Sequence, residues 1–324
     1  MNFQHNNIFR QTKSALQAAA FICMSALLVS LTGCSSLQTT EKNGGDKIKI
    51  VTTTTMLYDL TSAIGGEHTE VTALMGPGID PHLYQASAGD VKKMQEADVV
   101  VYNGLHLEGK MGDIFAALTK QDRKVICAED GIGEAALLTD EANSDTPDPH
   151  IWFDVSIWMD VADHVANSLS EIDQENAESY QENLQQYKSE LEDLDRYIRG
   201  RVEELPERQR VLVTAHDAFR YFGAAYGFEV KGLLGISTDA EAGTADVSNL
   251  AKFIAENQIK AIFVESSVPP KNIEALQAAV KARGFAVEIG GELYSDSLGD
   301  KASGDDTYIL TCKANIDTIV DALK

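Results

Sequence analysis

The chain has 324 residues, 44% hydrophobic and 24% charged, ordinary values for a globular protein of one or two domains. Its 50 acidic side chains outnumber 27 basic ones, and a net charge of −23 repels phosphate backbones, so nucleic acid is excluded as a partner. Such a surface favours solubility and mildly attracts cations, but it identifies no site.

Residues 1–34 differ from the rest. "MNFQHNNIFRQTK" carries Arg10 and Lys13 and no acid, and "SALQAAAFICMSALLVSLTGC" follows as an uncharged apolar run. A positive start, an apolar stretch and a small-residue end describe an export signal. The run from Ala15 to Leu31 is short for a membrane span. "LTGC" resembles the lipobox of bacterial lipoproteins, which implies cleavage before Cys34 and lipid on its thiol; a plain signal peptide or an N-terminal anchor is the alternative. Residues 35–46 are polar and unpatterned, as a flexible tether would be. With Cys23 in the leader and Cys34 in the lipobox, Cys127 and Cys312 remain, without zinc-type spacing, and read as separate buried thiols or one disulfide.

Strand-like runs then alternate with helical periods. A first set comprises "KIKIVTTTT" (47–55), "EVTALMG" (70–76), "ADVVVYNG" (97–104) and "KVICAED" (124–130). A second comprises "QRVLVTAH" (209–216), "FEVKGLLG" (228–235), "KAIFVESS" (260–267) and "FAVEIGGEL" (285–293). This alternation predicts an α/β protein of two lobes, 47–176 and 207–324, each with a parallel four-stranded sheet. Between them, Tyr180, Leu184, Tyr187, Leu191, Leu194, Ile198, Val202 and Leu205 fall in steps of three and four, which predicts one long helix ended by Pro206. A linker of this kind over 177–206 braces two lobes, so only small lobe tilts are expected on ligand binding.

Three histidines stand where strands end. His216 directly follows "RVLVTA", His82 follows a strand through "PGID", and His150 follows "TPDP". In doubly wound sheets ligands bind beyond the carboxyl ends of the strands, and proline-stiffened loops suit a metal site that tolerates little positional error. A lone histidine at a strand end is commonly a hydrogen-bonded structural residue, so spacing leaves the reading open. His106 in "NGLHLEGKM" also follows a strand and competes as a ligand, whereas His68 and His164 read as a surface-loop and a helix residue.

In order, "DPHLYQ", "NGLHLEGKM", "DPHIWFD", "VTAHDAFRYFG", "LLGISTDAEAG", "IFVESSVPPKNIEAL" and "GGELYSDSLG" span most of the chain after residue 47. Together they resemble the zinc/manganese group of ABC-transporter solute-binding proteins, the TroA-like and streptococcal "adhesin" lipoproteins of solute-binding protein family 9. The resemblance implies a metal site in the cleft between lobes, with His82 and His150 from the first and His216 and Asp296 from the second. It implies a non-enzymatic, lipid-anchored monomer outside the membrane that delivers Mn²⁺, Zn²⁺ or Fe²⁺ to an ABC permease. Glu265, ending a strand, is the candidate acceptor for the second nitrogen of a ligand imidazole, or else a solvated strand-end acid. Zinc-uptake members typically carry a His-rich acidic loop, but "LLTDEANSDTPDPH" has no histidine before His150, which favours manganese over zinc. A zinc hydrolase and a surface adhesin are the rival readings; neither an HExxH cluster nor a recognisable host-binding surface supports them.

Overall fold

Valine or isoleucine occurs in each of eight short segments, and β-branched side chains suit the pleated surface of a sheet. In the computed structural model, which describes residues 47–139 and 146–324, all eight form strands. The leader, the tether and Cys34 lie outside the described residues, as does part of the acidic stretch before His150.

The first four strands are β1 (Ile48–Thr52), β2 (Thr69–Ala73), β3 (Val99–Tyr102) and β4 (Lys124–Cys127). Helices α1 (Thr55–Gly65), α2 (Ala88–Glu96) and α3 (Gly112–Lys120) make the crossovers. The sheet is parallel throughout, in the order β2-β1-β3-β4, so the winding direction reverses at β1. Ligands bind beyond the strand ends at such a reversal. Thr54 caps α1 by accepting from the Leu57 N–H, and Ser87 and Asp90 cap α2 reciprocally.

Two long helices follow, α4 (Val155–Ile172) and α5 (Ala177–Val202). The second has 26 residues and buries Tyr180, Leu184, Tyr187, Leu191, Leu194, Ile198 and Val202, the stripe read from the sequence. At 1.5 Å per residue it spans about 39 Å. It ends before Leu205 because a residue preceding proline, here Pro206, avoids helical backbone.

The second half contains β5 (Val211–Thr214), α6 (Arg220–Tyr226), β6 (Glu229–Gly232), α7 (Thr244–Asn257), β7 (Ala261–Glu265), α8 (Lys271–Lys281), β8 (Glu288–Leu293) and α9 (Tyr308–Leu323). Here the architecture differs from the expected four-stranded sheet. β5 pairs with β6 and β7 with β8, both in parallel, and no ladder joins the two pairs. β5 and β7 still run side by side, but a side chain links their carboxyl ends: Glu265 accepts the His216 N–H at 2.8 Å. Gly290 is skipped in the β7–β8 register, a bulge where an added Cβ would lie 2.8 Å from the Phe263 ring.

The largest buried cluster draws on both halves of the chain, including Leu57, Trp158, Leu191, Phe219, Tyr308 and Ile319. Trp158 stacks on Tyr308 with ring centres 5.3 Å apart. The Tyr308 hydroxyl donates to the Trp152 carbonyl at 2.7 Å, and the Trp152 indole N–H donates to the Ser295 carbonyl at 3.0 Å. α5 packs against α1, α4 and α9, so one helix is bedded in a core that both halves share. Cys127 and Cys312 are free thiols, the first buried and the second half-buried. No helix among the described residues is long and apolar enough to cross a membrane.

Asp59 on α1 carries a pH dependence into this core. Burial pushes its carboxyl up to about 6, against the opposing hydrogen bond from the Tyr308 N–H at 3.1 Å, while Asp306 and Glu190 push it further up. The folded state therefore holds a proton that the unfolded chain releases near pH 4, and this contribution to stability fades as the pH rises through 6. Asp59→Asn is expected to stabilise the protein by about 1–2 kcal/mol at pH 7.5 and to leave it nearly unchanged at pH 4. Urea unfolding at the two pH values measures both.

Candidate metal centre

Four segments that follow β2, β4, β5 and β8 supply four side chains. β2 leads through a turn at Gly78 (φ +73°) to Pro81 and His82. His82 is backbone-fixed by Asp80, whose Oδ1 accepts its N–H at 2.8 Å. The chain beyond β4 reaches His150 through a second Asp-Pro-His sequence. There Asp148 Oδ1 accepts both the backbone N–H of His150, at 3.1 Å, and its Nδ1–H, at 2.7 Å. His216 stands two residues beyond β5, where Glu265 accepts its backbone N–H through Oε1 and holds its Nδ1 through Oε2 at 2.5 Å. Asp296 follows β8, and the Ser267 hydroxyl donates to its Oδ2 at 3.0 Å.

These side chains converge. Asp296 Oδ1 lies 3.4 Å from His150 Nε2 and 3.3 Å from His216 Nε2, and the two nitrogens are 3.3 Å apart. The three form a nearly equilateral triangle. His82 Nε2 stands 3.3 Å from its His150 corner, and all four donor atoms lie within 4.8 Å of one another. Donors around a tetrahedral cation with bonds of about 2.0–2.1 Å are separated by about 3.3–3.4 Å. The triangle already has that edge. Asp296 Oδ1 is buried without a hydrogen-bond partner among the described residues, an acceptor aimed at the imidazoles. A divalent cation would satisfy it, and the donor set of three nitrogens and one oxygen fits ions of intermediate softness.

The electrostatics differ among the histidines. Burial drives His82 down to about 3, and the neighbouring His150 and His216 reinforce this against Asp296, so its ring is neutral and free to ligate. Burial acts the same way on His150, but the Asp148 carboxylate, helped by Asp296, overrides it and raises its pKa. For His216, burial is overcome by Asp296 first and Glu265 second. Burial opposes ionisation of Asp296, yet His216 and His150 hold it well below the usual carboxylate range. A cation bound here would replace ring protons, a coupling common to imidazole sites.

The sequence model of the family described as zinc-uptake complex component A, periplasmic (ZnuA) matches residues 50–322. The chain belongs to this family. It is 44% identical over 295 residues to the "manganese-binding lipoprotein MntA" of Bacillus subtilis (strain 168), covering 91% of this chain and 95% of that one. Among solved structures it is similar to the periplasmic zinc-binding protein TroA of Treponema pallidum, with a TM-score of 0.83, 47% identity, and coverage of 86% and 99% of the two chains. The "manganese ABC transporter substrate-binding lipoprotein PsaA" of Streptococcus pneumoniae is 30% identical over 303 residues, which cover 92% of this chain and 96% of that one.

Within this ZnuA-family chain, His82, His150, His216 and Asp296 come together, and Glu265 lies against His216. His106 is elsewhere: it is exposed, in a left-handed turn (φ +62°) that follows Leu105 (φ +52°). Buried Glu108 pins this turn by accepting from the Thr53 hydroxyl at 2.6 Å and the Asn103 N–H at 2.8 Å. His68 packs edge-on against Tyr180, and His164 sits in α4. Sequence reasoning missed Asp148. Its signal was the doubled Asp-Pro-His motif, which marks a carboxylate two residues before each of two histidines.

Proposed function

We propose that this protein is an extracytoplasmic receptor that captures a divalent transition metal and delivers it to an ABC permease, with His82, His150, His216 and Asp296 as the ligands. The observation that carries the reading is the convergence of these donor atoms, drawn from both halves of the chain, within 4.8 Å. Family membership and relatives named for manganese and zinc binding support it. Four protein donors fill a tetrahedral shell, whereas a hydrolytic zinc keeps one position for water, so the protein is a binder rather than an enzyme.

The cargo is Mn²⁺ or Zn²⁺. Without a thiolate the ligand set holds either ion, and raw affinity favours zinc, so geometry and supply decide between them. Both Asp148 and Glu265 hold a ligand ring by its second nitrogen, which fixes the tautomer and aims Nε2 at the cation. Residues 47–176 and 207–324 act as lobes braced by the linking segment 177–206, helical over Ala177–Val202, and lipid on Cys34 tethers a monomer to the membrane. Metal analysis of protein purified without added metal, followed by Mn²⁺/Zn²⁺ competition, tests the assignment. Failure of both ions to bind stoichiometrically would overturn it.

Asp148→Asn retains an acceptor for the ring N–H but removes the charge that polarises His150. Calorimetry should show affinity for either ion reduced by about 10- to 100-fold.

A further inference from the structure

The Asp-Pro-His motif occurs twice with its carboxylate used differently. Asp148 Oδ1 holds the Nδ1 of His150, and its Oδ2 lies 3.8 Å from the Arg220 guanidinium of the second half. Asp80 holds no ring and makes a direct hydrogen bond across the halves. Its Oδ1 accepts the backbone N–H of His82 at 2.8 Å, while its Oδ2 accepts the hydroxyl of Thr238, on the segment after β6, at 2.6 Å. Four residues before His82, the Gly78 N–H donates across the same divide to the Ser297 hydroxyl at 2.8 Å, beside Asp296. A third link, Lys110 to Asp239 at 3.0 Å, is exposed on both sides and therefore weak.

His82 is also the member of the cluster with the least support. Carboxylates hold the rings of His150 and His216, and a hydroxyl holds Asp296. Among the described residues no carboxylate lies within ion-pair distance of His82, which stands outside the triangle formed by the other three. Its position depends on the backbone of the loop 76–82, and that backbone is anchored to the opposite half through Asp80 and Gly78.

Building on the proposed metal capture, we infer that Asp80 is a positioning residue whose bridge to Thr238 makes His82 a ligand only while the two halves are apposed, so that parting them releases the ion by withdrawing His82 first. Of the triangle, His150 belongs to the first half and His216 and Asp296 to the second. The Tyr221 hydroxyl, which donates to the Asp148 carbonyl at 3.1 Å, ties the His150 segment to the second half without Thr238, so the triangle persists through that first step. A small displacement of the segment bearing Thr238 is sufficient, in keeping with the shared core beneath. Asp80 thus acts on the rate of release, through the backbone of His82, and touches no cation.

Thr238→Val keeps the shape of the side chain and removes its donor; Thr238→Ser keeps the donor. Dissociation of Zn²⁺ and Mn²⁺ is followed by stopped-flow mixing of loaded protein with a chromogenic chelator, and association by mixing metal-free protein with each ion. The valine variant should dissociate about tenfold faster with association unchanged, as expected for loss of a hydrogen bond to a charged group, and the serine variant should match the original protein. Dissociation of the valine variant at the original rate, or of the serine variant as fast as the valine, would overturn the inference. The unsubstituted protein is the control for the reading beneath it. If it binds neither ion, the metal-receptor assignment fails; if it binds and the valine variant dissociates no faster, only the role of Asp80 does.

Discussion

Replacing His216 with alanine is expected to reduce affinity for Mn²⁺ and Zn²⁺ by at least about 10³-fold, the largest effect of any single substitution at the site. Its Nε2 is one corner of the triangle whose edges measure 3.3, 3.3 and 3.4 Å, so its removal takes away one of the four donors. Ligand binding stabilises a folded protein by about 4 kcal/mol at a metal concentration 1,000 times the dissociation constant. The variant should therefore lose the rise in unfolding temperature that metal gives the original protein. Metal-free stability must be measured beside it, because the substitution leaves Glu265 buried with only the backbone N–H at position 216 as a donor from this residue. His106→Ala serves as the contrast, since that exposed imidazole lies away from the cluster. Calorimetric titration of both variants decides the matter: an affinity of the alanine variant at position 216 within about tenfold of the original protein's would remove His216 from the ligand set.

The parts of this site that were readable from sequence are those encoded by local pattern. Periodicity placed α5, because its stripe of Tyr180, Leu184, Leu191 and Ile198 repeats on one helical face whatever it packs against. Strand ends placed His82 and His216, because a parallel sheet delivers its carboxyl ends to one edge. Pairing between distant residues left no such trace. Asp80 and Thr238 are 158 positions apart, and nothing in either neighbourhood announces the other. The division of β5–β8 into two pairs was hidden for the same reason: four apolar runs look alike whether a backbone ladder or the carboxylate of Glu265 joins the middle two. His106 shows the converse. It has the sequence position of a ligand, but the strained turn pinned by Glu108 places it at the surface.

Gly232→Ala should produce the second large effect, at a position that contributes no donor atom. Gly232 ends β6 opposite Thr214, the last residue of β5. Beyond this pair the strands remain joined: the Leu233 N–H donates to the Thr214 carbonyl at 3.0 Å, the Leu234 N–H to Ala215 at 2.9 Å, and the Asp217 N–H to Gly235 at 3.2 Å. An added Cβ on residue 232 would lie 2.4 Å from the Asp217 nitrogen and 2.7 Å from the His216 carbonyl carbon. Both are backbone atoms, so no rotamer change relieves the overlap. The segment 214–217 must move, and it carries His216 with it. Overpacking of this kind costs about 1–3 kcal/mol, or more where backbone must shift. Metal affinity should fall as well, because a site with edges near 3.3 Å tolerates little displacement of a corner. Gly235→Ala is the matched control, three residues along the same chain, where an added Cβ meets nothing within 4 Å. Urea unfolding of the two metal-free variants, followed by zinc titration of each, separates packing from ligation. Equal stability and equal affinity of the two would show that the close approach of β6 to the His216 backbone has no part in holding the metal centre together.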